Sequence, residues 1–137
     1  MVGGPGIDAA AREIGSALLA AVGIVEWLDE EALIDAVTGV SGSGPAYVFL
    51  LAEAMADAGV EAGLEPALAR RLADATVSGA GALIADSGED PAILRRNVTS
   101  PGGTTAAAID VLTAPIGLNS LMKKAVAAAK KRAGELG

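Results

Sequence analysis

An all-α fold, a bundle of about six or seven helices, is what three features of this 137-residue chain predict. It is rich in alanine and almost without aromatics: 52 % of residues are apolar, yet Trp27, Tyr47 and Phe49 are the only rings. Runs of β-branched residues are few. Apolar positions recur at helical spacing between proline and glycine breaks. Such a composition suits helices packed close with few bulky fillers. The length suits one domain that buries roughly two-thirds of its unfolded surface.

Residues 1–6 read as a linker or truncated interdomain segment, and residues 7–137 as the helical domain. The first helix spans 7–22, with Ile7, Ile14, Leu18 and Val22 near one face. Asp8 falls in its first turn, where the dipole favours an acid, and Gly23 ends it. Residues 24–28 are extended or irregular. Asp29 caps a helix over 30–40, buried through Leu33, Val37 and Val40. Ser41-Gly42-Ser43-Gly44 breaks the chain, and Pro45 suits the first turn of a helix over 45–59. That helix is apolar almost all round. Its polar stripe is Glu53 and Asp57, which an ion pair to Arg70 or Arg71 would explain. A helix of this kind needs cover on most sides, more than one small domain supplies, so a partner subunit is expected.

A turn at 60–64 leads to a long helix over 66–86, with Leu68, Leu72, Ala75, Gly79 and Leu83 on one side. Gly79 and Gly81 in its interior each cost about 1 kcal/mol relative to alanine, which implies a neighbouring backbone packed close, or a bend. Asp90 caps a short helix over 91–97. Helices over 104–113 and 118–135 come next, separated by residues 114–117. The last places Leu121, Met122, Ala125, Val126 and Ala129 inward. Its Lys123, Lys124, Lys130, Lys131 and Arg132 read as a solvated face, the C-terminal ones also suiting the helix dipole.

Composition removes several functions. The chain has no cysteine and no histidine, hence no disulfide, no thiolate metal site and no imidazole base. A net charge of −7 argues against nucleic acid and anionic membrane surfaces. No apolar run reaches the length of a membrane span, and the first residues lack a secretory pattern, so a cytoplasmic protein is expected. Gly39-Val40-Ser41-Gly42 and Gly42-Ser43-Gly44 are glycine-rich but lie in no βαβ unit, so they read as a packing turn and not a dinucleotide site.

The chemistry gathers at Val98-Thr99-Ser100-Pro101-Gly102-Gly103-Thr104-Thr105. Pro101 lacks an N–H and turns Ser100 away from the helical region. Gly102 and Gly103 are free to take positive φ and leave room for a ligand. The chain then enters a helix, whose first N–H groups have no intrahelical partner. Such a place suits a carboxylate or phosphate; a capped glycine turn is the bland alternative.

Asn97-Val98-Thr99-Ser100-Pro101-Gly102-Gly103-Thr104-Thr105 resembles the signature of pyrroline-5-carboxylate reductases. Asp35-Ala36-Val37-Thr38-Gly39-Val40-Ser41-Gly42-Ser43-Gly44-Pro45-Ala46-Tyr47 resembles a second segment of that family, and the similarity runs from about Gly6 onward. The resemblance is to the C-terminal domain alone, without the nucleotide-binding domain. It implies a helical domain interlocked as a homodimer, serving an enzyme that reduces 1-pyrroline-5-carboxylate to L-proline with NADPH or NADH. It also implies that backbone N–H groups of Ser100, Gly102, Gly103 and Thr104 hold the substrate carboxylate, and that the Thr105 hydroxyl lies by the ring nitrogen as the catalytic group. Positioning is expected to matter more there than proton transfer. Thr113-Ala114-Pro115-Ile116-Gly117 departs from the family, being about one residue longer with a proline in place of glycine. The chain alone is expected to bind no cofactor and to be inactive, with weak affinity for a small carboxylate such as pyrroline-5-carboxylate or proline. The alternative is a stand-alone helical assembly module without catalysis.

Overall fold

The structure, a computed structural model, describes residues 1–136. In order it contains α1 (Ala9–Ala20), a 3-10 turn (Glu31–Leu33), α2 (Ile34–Val37), a π-helical stretch (Thr38–Gly42), α3 (Gly44–Glu61), α4 (Pro66–Ser87), α5 (Pro91–Asn97), α6 (Thr104–Leu112) and α7 (Leu118–Leu136). The only β pairing among the described residues is an isolated parallel bridge, Val2 with Leu28. The all-α class is therefore correct. The chain divides into two compact units, Met1–Gly42 with Ala125–Gly137, and Ser43–Lys124.

In the first unit, Asp8 precedes α1 instead of lying in its first turn. Its carboxylate accepts the Ala11 N–H at 2.8 Å, an N-cap that satisfies one orphan donor. The helix ends at Ala20, three residues short of Gly23. Residues 24–28 are tied back to it through Trp27, whose indole N–H donates to Ser16 Oγ at 2.8 Å and whose ring lies 4.8 Å from the Arg12 guanidinium. Leu28 N–H also donates to the Met1 carbonyl at 2.7 Å. Ile7, Ile14, Leu18 and Val22, placed near one face, are all exposed.

The helix expected over 30–40 is not regular. Glu30, not Asp29, takes the cap position, with no side-chain bond, and the backbone passes from 3-10 through one α turn into a π stretch. The reason is long-range. Gly39 is buried against α7, where an added Cβ would lie 3.0 Å from the Val126 carbonyl and 3.3 Å from the Lys130 nitrogen. A residue without a side chain allows that approach freely, whereas a Cβ would press the α7 backbone aside by a few tenths of an ångström. The expected break at residues 41–44 shrinks to Ser43, because π winding continues through Gly42 and α3 begins at Gly44.

The second unit is organised by α3 and α4. Four residues connect them, too few for anything but an antiparallel neighbour. Their seam is Ala52 and Ala56 against Ala69 and Ala73, the only buried apolar side chains among the described residues. Gly59 extends it, with an added Cβ 3.2 Å from Ala69 Cβ. Alanine and glycine let two helix axes approach closely, since axial separation follows side-chain size. Leu68, Leu72 and Leu83, which share one side of α4, are exposed, as are Phe49, Leu50 and Leu51 of α3, the helix expected to need a partner's cover. Gly79 and Gly81 meet nothing within 4 Å, so no close neighbour among the described residues accounts for them. Arg70 pairs with Asp74 one turn on, its Nε 2.8 Å from Oδ2, and not with Glu53 or Asp57. That hydrogen bond holds its pKa above the ordinary value. Pro66 with Glu65, and Pro91 with Asp90, open α4 and α5 with side-chain caps. Along α7, Met122, Ala125, Val126 and Ala129 are half-buried as expected, whereas Leu121 is exposed.

Candidate functional site

The loop between α5 and α6 is a tight turn of defined type. Gly103 N–H donates to the Ser100 carbonyl at 3.1 Å, closing the four residues Ser100-Pro101-Gly102-Gly103. Pro101 stands second, and Gly102 stands third with φ +69°. That is the type II pattern, in which the third position needs the left-handed region. The two glycines thus do different things. Gly102 supplies the positive φ. Gly103 has φ −81° and ψ 174°, ordinary extended values, and sits close on the turn: an added Cβ would displace Ser100 Oγ and lie 3.2 Å from the Ser100 carbonyl oxygen.

Gly103 is also the N-cap of α6, and no side chain caps this helix. Thr104 and Thr105 are its first two helical residues; Thr104 is exposed and Thr105 half-buried. Among the described residues, the N–H groups of Ser100, Gly102, Thr104, Thr105 and Ala106 make no hydrogen bond. Three of the four predicted donors are therefore free, while that of Gly103 is engaged within the turn. The hydroxyls of Ser100, Thr104 and Thr105 likewise have no partner among these residues. Thr76, Thr99 and Thr113 behave otherwise, each donating its hydroxyl to the carbonyl four residues back, at 2.7, 2.6 and 2.8 Å. The bland account of Thr105, a helix-start residue bonded to its own backbone, does not describe it.

Beside the loop, a groove of about 530 Å³ is lined by Arg95, Arg96, Thr99, Ile109 and Thr113. Neither arginine forms an ion pair among the described residues, and both sit in the last turn of α5, where a cation complements the dipole. Sequence reasoning passed over Thr99. A usable signal was present: α5 ends with no glycine at Asn97-Val98-Thr99, so another group must satisfy its last carbonyls. A larger hollow of about 720 Å³, in the first unit beside Trp27, Leu33 and Val40, contains none of the predicted site residues. No cluster of three or more metal-ligating side chains exists among the described residues, and no helix there is long and apolar enough to cross a membrane.

An all-helical chain whose seam is alanine, and whose large side chains face outward, is a module suited to packing against another polypeptide. The chain belongs to the pyrroline-5-carboxylate reductase dimerisation family, which it matches over residues 31–136. It is 52 % identical over 130 residues to a pyrroline-5-carboxylate reductase of Pseudomonas aeruginosa, a match covering 95 % of this chain and 47 % of that protein. With the Synechocystis enzyme of the same name it shares 53 % over 121 residues, 88 % of this chain and 45 % of the relative. The fold is similar to a pyrroline-5-carboxylate reductase structure from Coxiella burnetii, with TM-score 0.91 and 38 % identity over 99 % of this chain and 50 % of that one. It also resembles a Plasmodium falciparum pyrroline carboxylate reductase with NADP bound, with TM-score 0.77 and 29 % identity, covering 94 % and 48 % of the two chains. This chain spans about half the length of the relatives it matches.

Proposed function

We propose that this chain is the dimerisation and substrate-carboxylate-binding part of a pyrroline-5-carboxylate reductase, acting in the reduction of 1-pyrroline-5-carboxylate to L-proline. The observation that carries this reading is the start of α6. In a member of this family, unbonded amides and unbonded threonine hydroxyls stand together behind a rigid Pro-Gly-Gly turn. Amides at a helix start are poised for an anion without further reorganisation. Ser100, Gly102, Thr104 and Thr105 offer donors, Gly103 offers a bare approach, and the Thr105 hydroxyl orients the ring nitrogen. A threonine hydroxyl acts there by holding geometry more than by giving a proton.

The reaction draws its hydride from NADPH or NADH. A doubly wound βαβ unit is the fold that cradles a dinucleotide, and on this reading the cofactor is held by a part of the enzyme other than this chain. The chain assembles as a homodimer, covering the outward leucines and Phe49. Its acidic charge suits neither nucleic acid nor anionic membranes, and a cytoplasmic location belongs to the same reading.

The test is a titration of the ¹⁵N-labelled chain with acetate and with L-proline. Shifts confined to the amides of residues 100–105 are expected, with a dissociation constant no tighter than about 1 mM, roughly −4 kcal/mol, because the ring-facing contacts are missing. No shift at these amides would reduce the loop to a turn. Consumption of NADPH with pyrroline-5-carboxylate by the isolated chain would overturn the assignment of the cofactor to another part.

A further inference from the structure

Helix α4 ends on Gly88 at φ +64°, the left-handed residue that commonly stops a helix. Helix α5 has no such residue. Its cap is Val98 at φ −100°, and no described non-glycine residue has positive φ. Thr99 serves its last carbonyls instead, sharing that of Arg96 with the Val98 N–H. Its hydroxyl donates to the Arg95 carbonyl at 2.6 Å and its N–H to the Arg96 carbonyl at 3.0 Å. Both donors of one residue are thereby fixed on the end of α5.

Thr99 is half-buried and lines the groove together with Ile109 and Thr113, which belong to α6 and its cap. It therefore faces a groove shared by both helices that flank the loop. The next residue is Ser100, whose carbonyl receives the Gly103 N–H. The direction in which the chain leaves Thr99 sets where that carbonyl lies, and hence whether the turn closes. Thr76 and Thr113 make the same hydroxyl bond, but within α4 and at the far end of α6. What distinguishes Thr99 is its place between the last carbonyls of α5 and the first residue of the turn.

We propose that Thr99 is a positioning residue for the carboxylate site: by closing the end of α5 it sets the turn Ser100–Gly103 and aims the free amides at the start of α6. This rests on the reading of that helix start as the carboxylate site, and it adds a residue that makes no contact with substrate.

The experiment compares Thr99→Val, Thr99→Ser and, as control, Thr113→Val. Three readouts are taken on the labelled chain: hydrogen exchange at the Gly103 amide, acetate affinity from amide shifts, and the thermal midpoint. Thr99→Val should speed Gly103 exchange and weaken acetate binding, each about fivefold, the size of one lost hydrogen bond. Thr99→Ser keeps the hydroxyl and should match the parent in both. Thr113→Val should lower the midpoint alone. If Thr99→Val lowers the midpoint but leaves Gly103 exchange and acetate affinity unchanged, the residue is merely structural and the proposal falls. It falls equally if Thr99→Ser loses Gly103 protection, a result that decides the matter even should the valine variant not fold. A parent chain that ignores acetate while Thr99→Val still speeds Gly103 exchange would remove the carboxylate reading and uphold the hold of Thr99 on the turn.

Discussion

Replacing Leu51 by aspartate should split the homodimer or unfold the chain. The chain exposes 10,029 Å². Two separate compact bodies of the masses of its two units would together expose roughly 8,000 Å². The excess is roughly 2,000 Å² per copy, or roughly 4,000 Å² for a pair. Interfaces of about 2,000–5,000 Å² are those of obligate dimers, which resemble a domain core cut in half. Leu51 is 46 % exposed in the isolated chain, on an α3 whose neighbours Phe49 and Leu50 are 71 % and 63 % exposed. Fully burying an exposed leucine contributes about 1.5–3 kcal/mol; roughly half of that remains to be gained at a half-exposed side chain, and a two-fold pair counts it twice. Loss of about 1.5–3 kcal/mol weakens association roughly 10- to 10²-fold, before the cost of burying a carboxylate is added. Sedimentation velocity at micromolar concentration reads the outcome. The parent chain should run as a dimer, and the variant as a monomer with reduced helical content. A parent chain that sediments as a folded monomer with a cooperative melt would refute the reasoning, as would a Leu51→Asp dimer of unchanged affinity.

Three further substitutions test the site and the packing. Gly102→Ala forces a side chain into φ +69° and should cost about 1–2 kcal/mol, read as a lower thermal midpoint with weakened acetate binding. Gly103→Val should abolish acetate binding by collision with Ser100 Oγ, whereas Thr105→Ala should spare it, since the backbone donors remain; in a full-length enzyme the latter should lower turnover more than affinity for the carboxylate, and unchanged turnover would remove that hydroxyl from the mechanism. Gly39→Ala should destabilise by about 1–3 kcal/mol through overpacking against the α7 backbone, measured by urea unfolding with an unchanged slope.

Local signals carried much of the fold. Pro66, Asp90 with Pro91, and the glycine after Ser87 mark helix ends by backbone chemistry that acts over four residues, and the structure places ends there. The π stretch escaped because its cause is distant: Gly39 yields to an α7 backbone nearly 90 residues further along the chain. Periodicity located the apolar faces but not what covers them. The period put Leu68, Leu72 and Leu83 on one side of α4 and gave Ala69 and Ala73 no role, and only the structure shows that these alanines take the intrachain seam while the leucines stay outside. At the site, Ser-Pro-Gly-Gly announced a turn before a helix. Which glycine needs the left-handed region depends on which pair closes the turn, and a flat sequence does not state that.

The short link between α3 and α4 has a consequence in time. Closing a connection of four residues costs little entropy and takes well under a microsecond, and the Ala52–Ala56 and Ala69–Ala73 seam is local in sequence. The hairpin can therefore form on a lone chain, ahead of any encounter. For the proposed homodimer the later step is a collision between two such chains, a second-order event whose rate rises with concentration. Refolding from denaturant should then show an early helical phase that dilution leaves alone, and after it a slower one that dilution retards.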